Sequence, residues 1–296
     1  MLSFVAEVIS TLADSLGIMD RVKKVIGHSE PASPIHQVAD RIFQVFETHG
    51  VNRANIVGFV NPKHGITFAD LISHDAFIPK ITNELLDEIS EKFSINPEWL
   101  TGDIDEIYPS HHCYKNLRVI IDHLGGIAEQ GIRWPEVQVI IIKPSKPSLE
   151  ELQSHRSLSP FAVVIREAIG DLGETTIYRD HLYDELNWGH QPARLHLQGI
   201  SMAAWELASK PWGAELPENE IVNLLDRRVF IAPILEDVSL HSWHPDDYIF
   251  LDGESMRSEN SAIAQEARKW MRQTGDLAYL QEWKNRLNSS VRQICD

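Results

Sequence analysis

Apolar side chains recur at three- and four-residue steps through the first part of the chain. Val5, Val8, Leu12, Met19, Val22 and Ile26, with Leu16 close to the same line, predict one amphipathic helix over residues 2–26. Such a stripe needs a partner, either the rest of the chain or a second copy through an a/d-like seam. Its polar face is acidic and small, whereas a membrane-surface helix carries a basic one. The stretch from Gly27 to Pro34 breaks the pattern, because Pro31 and Pro34 each remove a backbone donor and bias the preceding residue away from helix.

Several short helical patterns without a strand occupy residues 35–106. Ile35, Val38, Ile42, Val45 and Phe46 mark the first, which stops at Gly50. Others cover Arg53 to Val60, Thr67 to His74 and Thr82 to Phe93, the last capped by Thr82 with Leu85, Leu86, Ile89 and Phe93 facing inward. A final turn, Pro97 to Leu100, ends at Thr101 and Gly102. From Asn116 onward, β-branched runs at 117–121, 137–142, 161–165, 194–198, 228–235 and 247–251 alternate with helical patterns. Those helices fall near 149–155, 175–186, 202–208, 218–225 and 262–287, with a break near Gly275. The alternation predicts an α/β domain with a helix-covered mixed sheet. The expected fold class is therefore multidomain, α plus α/β: an amphipathic helix over 1–27, a small bundle over 35–106 and an α/β domain over 116–296.

Charge narrows the function. The 27 Lys and Arg face 43 Asp and Glu, a formal net charge of −16, the opposite of a protein that coats nucleic acid or an anionic membrane. Any anion site must be local. The two cysteines, Cys113 and Cys295, support neither a disulfide framework nor a four-thiolate zinc site. No apolar run of about 18 residues is present to span a bilayer. The N-terminal stretch also lacks the basic start of a secretory signal. A soluble, cytoplasmic protein without a membrane partner is the expectation.

The segment from Ile81 to Asp103 resembles the last two helices of the phage Cro/CI-type, or XRE-like, helix-turn-helix family. The shared features are the Leu85-Leu86, Ile89, Phe93 face followed by Pro97-Glu-Trp99-Leu100-Thr101-Gly102. The likeness extends over about residues 35–106. A core this small leans on one or two large side chains, so Trp99 reads as structural. The resemblance implies a DNA-binding transcriptional regulator, with a recognition helix near Thr67 to His74 entering the major groove. Thr67 and Asp70 would lead into the groove, with Ser73 and His74 on the same helix. Arg53, Lys63, His64 and Lys80 would contact phosphates. The match is weakest here: Val60 to Thr67 keeps only Gly65 and Thr67 of the family's turn, and Asn61 and Pro62 depart from it. Between Ile35 and Glu106, five Lys or Arg stand against twelve Asp or Glu, so the bundle itself is acidic. The implied partners are double-stranded DNA, a second copy in a homodimer, and a small-molecule or protein effector of the C-terminal domain, which serves sensing or oligomerisation.

Candidate chemistry in the C-terminal part is sparse. His241, Trp243, His244, Asp246 and Asp247, followed by Asp252 and Glu254, have the residue types of a divalent-metal loop, but they also suit an ordinary solvated loop. His111-His112-Cys113 reads as a surface linker. Gly199-Ile-Ser201 is not a nucleophile elbow, and Gly125-Gly126 reads as a tight turn rather than a phosphate cradle. Tyr178, Tyr183, Trp188, Trp205, Trp212 and Trp243, interspersed with Arg179, His181, His190, Arg194 and His196, read as core with an anionic or aromatic ligand pocket as the alternative. No catalytic residue, cofactor or metal ligand is assigned. Two other function classes remain open: a protein-interaction module that kept the bundle without DNA, and a metal-dependent enzyme using the 241–247 loop.

Overall fold

A computed structural model describes residues 33–132, 135–145, 160–187, 190–207, 210–240, 242–245 and 258–295. The predicted helix over 2–26 and the patterns at 149–155 and 247–251 lie outside these residues.

The N-terminal bundle begins with α1 (Pro34–Thr48), whose proline sits at the first turn, and buries Val38, Ala39, Ile42, Phe43, Val45 and Phe46. After a 3₁₀ turn at Arg53–Asn55 come α2 (Ile56–Phe59) and α3 (His74–Phe77). The predicted helix over Thr67 to His74 is not formed: residues 65–73 are turns and extended backbone. Two capping devices compete for this segment. Thr67 donates from both N and Oγ1 to Asp70 Oδ2 at 2.7 Å, and six residues later the Ser73 hydroxyl accepts from Ala76 N to start α3. The buried residues Ile66, Leu71 and Phe77 are five and six apart, off the helical period, so core burial reinforces the break. The rest of the bundle follows the sequence reading. Thr82 caps α4 (Asn83–Phe93) by accepting from Leu85 N, α5 (Pro97–Thr101) buries Trp99 and Leu100, and Gly102 closes it at φ +95°.

The C-terminal part forms a five-stranded mixed sheet in the order β1-β4-β3-β2-β5. Its strands are β1 (His111–His112), β2 (Val137–Pro144), β3 (Pro160–Leu172), β4 (Thr175–Asn187) and β5 (Pro211–Leu216). β1 runs parallel to β4 and β5 parallel to β2, while β2, β3 and β4 are antiparallel. The runs at 137–142 and 161–165 are strands as expected. Three other runs and one predicted helix are corrected. The run at 117–121 opens α6 (Leu117–Glu129), where burial of Leu117, Ile120, Ile121, Leu124 and Ile127 follows the helical period. Gly125 is thus no turn; it lies inside α6, and a Cβ there would meet the Trp283 ring at 2.5 Å. The run at 194–198 lies in α7 (Gln191–Leu207), and 228–235 leads into α9 (Ile231–Asp237), whose Pro233 falls in the first turn, where no amide is needed. The predicted helix over 175–186 is instead β4. It is paired with β3 through a two-residue hairpin whose Gly173 takes φ +66°. Between β5 and α9 lies α8 (Glu218–Leu225), and the chain ends in α10 (Ser258–Thr274) and α11 (Asp276–Cys295), separated at Gly275 as anticipated.

Both sheet faces are covered, which is why the strands read as continuous apolar runs. Val137, Val139, Ile141, Val163 and Ile165 pack with α6, α7, α10 and α11. Ile140, Ile142, Ala162, Val164, Ala214 and Leu216 share one buried cluster with α8, α9 and the bundle, so the bundle's apolar interior is continuous with the sheet. Phe230 carries the join, its ring 5.6 Å from Trp99 and 6.0 Å from His49. The segment read as a surface linker is part of this join. Ile107, Tyr108 and Cys113 are buried, and His111 and His112 form the edge strand β1. No helix among the described residues is long and apolar enough to cross a membrane.

Candidate functional site

The residues nominated for DNA are each engaged within the bundle. Arg53 Nε is 2.9 Å from Glu47 Oε1, with its guanidinium 4.1 Å over the Phe43 ring. His64 Nε2 and Lys63 Nζ approach Glu88 Oε2 at 2.8 and 3.9 Å. Lys80 Nζ donates to Gly65 O at 2.7 Å and lies 3.5 Å from Asp70 Oδ2. His74 Nε2 is 2.7 Å from Asp40 Oδ1, while Thr67, Asp70 and Ser73 are spent on the caps described above. Hydrogen bonds from Thr67 lead the forces that hold the Asp70 carboxyl below its usual pKa, with Lys80 adding to them. The large apolar side chains turned outward on this segment are Phe68, 67% exposed, and Ile72, 80% exposed.

A denser constellation sits where the bundle meets the sheet edge. On β3 and β4 the register sets Glu167 opposite Arg179, Ile165 opposite His181 and Val163 opposite Tyr183. Alternation along each strand turns Glu167, Arg179, His181 and Tyr183 to the face that α6 covers. His123 on α6 meets them. His123, Glu167 and His181 each offer a ligand-type atom, and these atoms lie within 4.8 Å of one another. The His123 and His181 rings are 4.4 Å apart and nearly perpendicular, with His111 of β1 the next imidazole, its ring 6.1 Å from that of His181.

Each member is oriented by a neighbour. The bundle reaches His181 through Ser94, the residue after α4, which adopts φ +55° and sets its Oγ 2.9 Å from His181 Nδ1. His181 Nε2 is buried without a hydrogen-bond partner and faces Glu167 Oε2 at 3.8 Å. Tyr183 OH is hydrogen-bonded to His123 Nδ1. Arg179 donates from Nε and Nη2 to Glu167 Oε2, at 2.9 and 2.7 Å, leaving Oε1 outside that pair. Burial by itself would raise the Glu167 pKa, but the facing His181 imidazole and the Arg179 guanidinium outweigh it and hold the carboxyl below its usual range. Desolvation, followed by the neighbouring His181, pushes His123 down to about 3, so its imidazole is neutral at physiological pH.

The opposite sheet face carries a structural pair. Asp180 is fully buried and accepts from Arg166 Nε and Nη2 at 2.8 and 3.4 Å. Of the 241–247 loop, Trp243 is seen bridging to Gly213 and donating from Nε1 to Ala214 O at 3.0 Å; His241, Asp246 and Asp247 lie outside the described residues. The sequence reading noted Tyr183 only as one of the aromatics and Arg179 and His181 only as polar groups among them, and missed His123 and Glu167. One signal was available. In IREAIGD and TTIYRDHLYD, charged and imidazole residues interrupt runs that otherwise bury both faces, and such interruptions need partners. No family model matches the chain, and no curated protein or solved structure matches it.

Proposed function

We propose that the chain is an interaction protein whose bundle docks onto another protein. One observation carries this reading. Around the segment where the family resemblance sets a groove-reading helix, Arg53, Lys63, His64 and Lys80 each lie against a carboxylate, while the apolar Phe68 and Ile72 stand outward. Phosphate contacts demand available cations, and here each has a carboxylate to leave first. An apolar tip on an acidic body fits a partner with an apolar pocket rimmed by Lys and Arg, where aromatic and aliphatic anchors supply most of the affinity.

The second reading is the DNA-binding regulator, acting as a homodimer under an effector of the C-terminal part. It is favoured by the Thr82 cap, the buried Trp99 and Leu100 and the left-handed Gly102, which together reproduce the closing turn the resemblance implies. Fluorescence anisotropy on random duplex fragments at about 50 and about 200 mM salt separates the two. The docking reading expects no salt-sensitive binding. A photo-crosslinker at position 72, in cells that make the protein, is expected to give a discrete adduct that excess wild-type chain competes away and the Phe68→Asp, Ile72→Asp variant does not. Salt-sensitive DNA binding abolished by Arg53→Glu with Lys63→Glu would overturn it.

A further inference from the structure

His181 Nε2 has no hydrogen-bond partner while its Nδ1 is fixed by Ser94. His49 shares that division, with Nδ1 on Val45 O and Nε2 orphaned, but the His181 nitrogen differs in lying within ligand distance of a second imidazole and a carboxylate. The same division recurs at His123, where Nδ1 is taken by the Tyr183 hydroxyl, and at Glu167, where Arg179 takes one oxygen and leaves the other. Three donor groups thus each have an atom held by an outer residue, and their ligand-type atoms lie within 4.8 Å of one another, with His181 Nε2 3.8 Å from Glu167 Oε2. Metal ligands have this arrangement: outer hydroxyls, carbonyls or cations fix the tautomer and orientation, and the inner atoms bind.

We propose that His123, Glu167 and His181 bind a single divalent d-block cation between α6 and the sheet, beside the end of α4. Two imidazoles and a carboxylate suit zinc best, with cobalt as its spectroscopic substitute. The ligand atoms span at most 4.8 Å, whereas those on a tetrahedral zinc are about 3.4 Å apart, so the side chains close inward on binding by roughly 1 Å. Arg179 remains on the Glu167 carboxylate as its outer partner during that closure. Three protein ligands leave one tetrahedral position for water or a small ligand. Because His181 also holds Ser94, and Arg179 Nη1 approaches Glu91 O at 3.4 Å, occupancy ties the end of α4 to the sheet edge. The site stands independently of what the bundle docks to.

The test titrates the full chain, treated with chelator and dialysed, with Co²⁺ and follows the visible d–d absorption, with Zn²⁺ as competitor. The expected result is saturation at one equivalent and displacement by Zn²⁺. His181→Ala and Glu167→Gln abolish the signal. Tyr183→Phe, which keeps the ring and removes only the hydroxyl on His123, weakens affinity by about 10- to 100-fold while leaving the circular dichroism unchanged. His244→Ala has no effect. The proposal is overturned if wild type takes up no stoichiometric Co²⁺, if binding survives both ligand substitutions, or if His244→Ala removes it.

Discussion

Lowering the pH from about 7.5 to about 5 should weaken the fold through two buried histidines, and the size of the effect follows from their environments. Desolvation pushes His123 down to about 3 and His196 down to about 4, from an ordinary value of 6.5. The unfolded chain therefore takes up these protons first. The stabilisation is complete above the unfolded value of 6.5 and is lost as pH falls toward the folded values. Each pH unit in that window costs about 1.4 kcal/mol per group, so the drop to pH 5 costs about 2 kcal/mol for each histidine and about 4 together. His49, also lowered by burial, acts in the same direction. Glu167 does not confuse the window, because its depressed pKa costs stability only as pH falls below its ordinary 4.5. Urea unfolding followed by tryptophan fluorescence, with chelator present, measures the effect. With an m-value of about 3 kcal/mol/M, the midpoint should fall by roughly 1 M. A His123→Gln, His196→Leu variant should lose most of the pH slope, whatever its absolute stability. Equal stability at both pH values, or an unchanged slope in the variant, would refute the assignment of neutral buried histidines.

Gly125→Ala should destabilise by about 1–3 kcal/mol in denaturant titration, because its Cβ meets Trp283 ring carbons at 2.5 Å, and Trp283→Phe should recover part of the loss. Gly213→Ala meets a harder obstacle, the Trp243 backbone oxygen at 2.2 Å, so thermal melts should rank it below Gly125→Ala. Asp180→Ala strands the Arg166 guanidinium in the interior and should cost about 3–5 kcal/mol, whereas Asp180→Leu with Arg166→Met should fold with far smaller loss. In a Cys295→Ser background the buried Cys113 should resist a thiol reagent until the chain is unfolded.

Local signals were legible wherever a short stretch of chain decides its own conformation. Pro34, Gly50, the Thr82 cap, the Leu85 to Phe93 face, Gly102 and the break at Gly275 all fall where the residues alone imply, because caps, proline and left-handed glycine act within a few bonds. Short apolar runs were not. LRVII and RLHLQ are helices and TTIYRDHLYDELN is a strand, since so short a mixture of β-branched and other apolar residues carries too little period to separate the two, and tertiary contacts choose. The seam cluster belongs to the same class. His123, Glu167 and His181 come from a helix and two strands, and only the β3–β4 register and the packing of α6 on that face bring them together. The seam itself, with Ser94 on His181 and Phe230 against Trp99, was equally invisible, because composition shows that residues 35–106 are helical and acidic but not which surface they must cover.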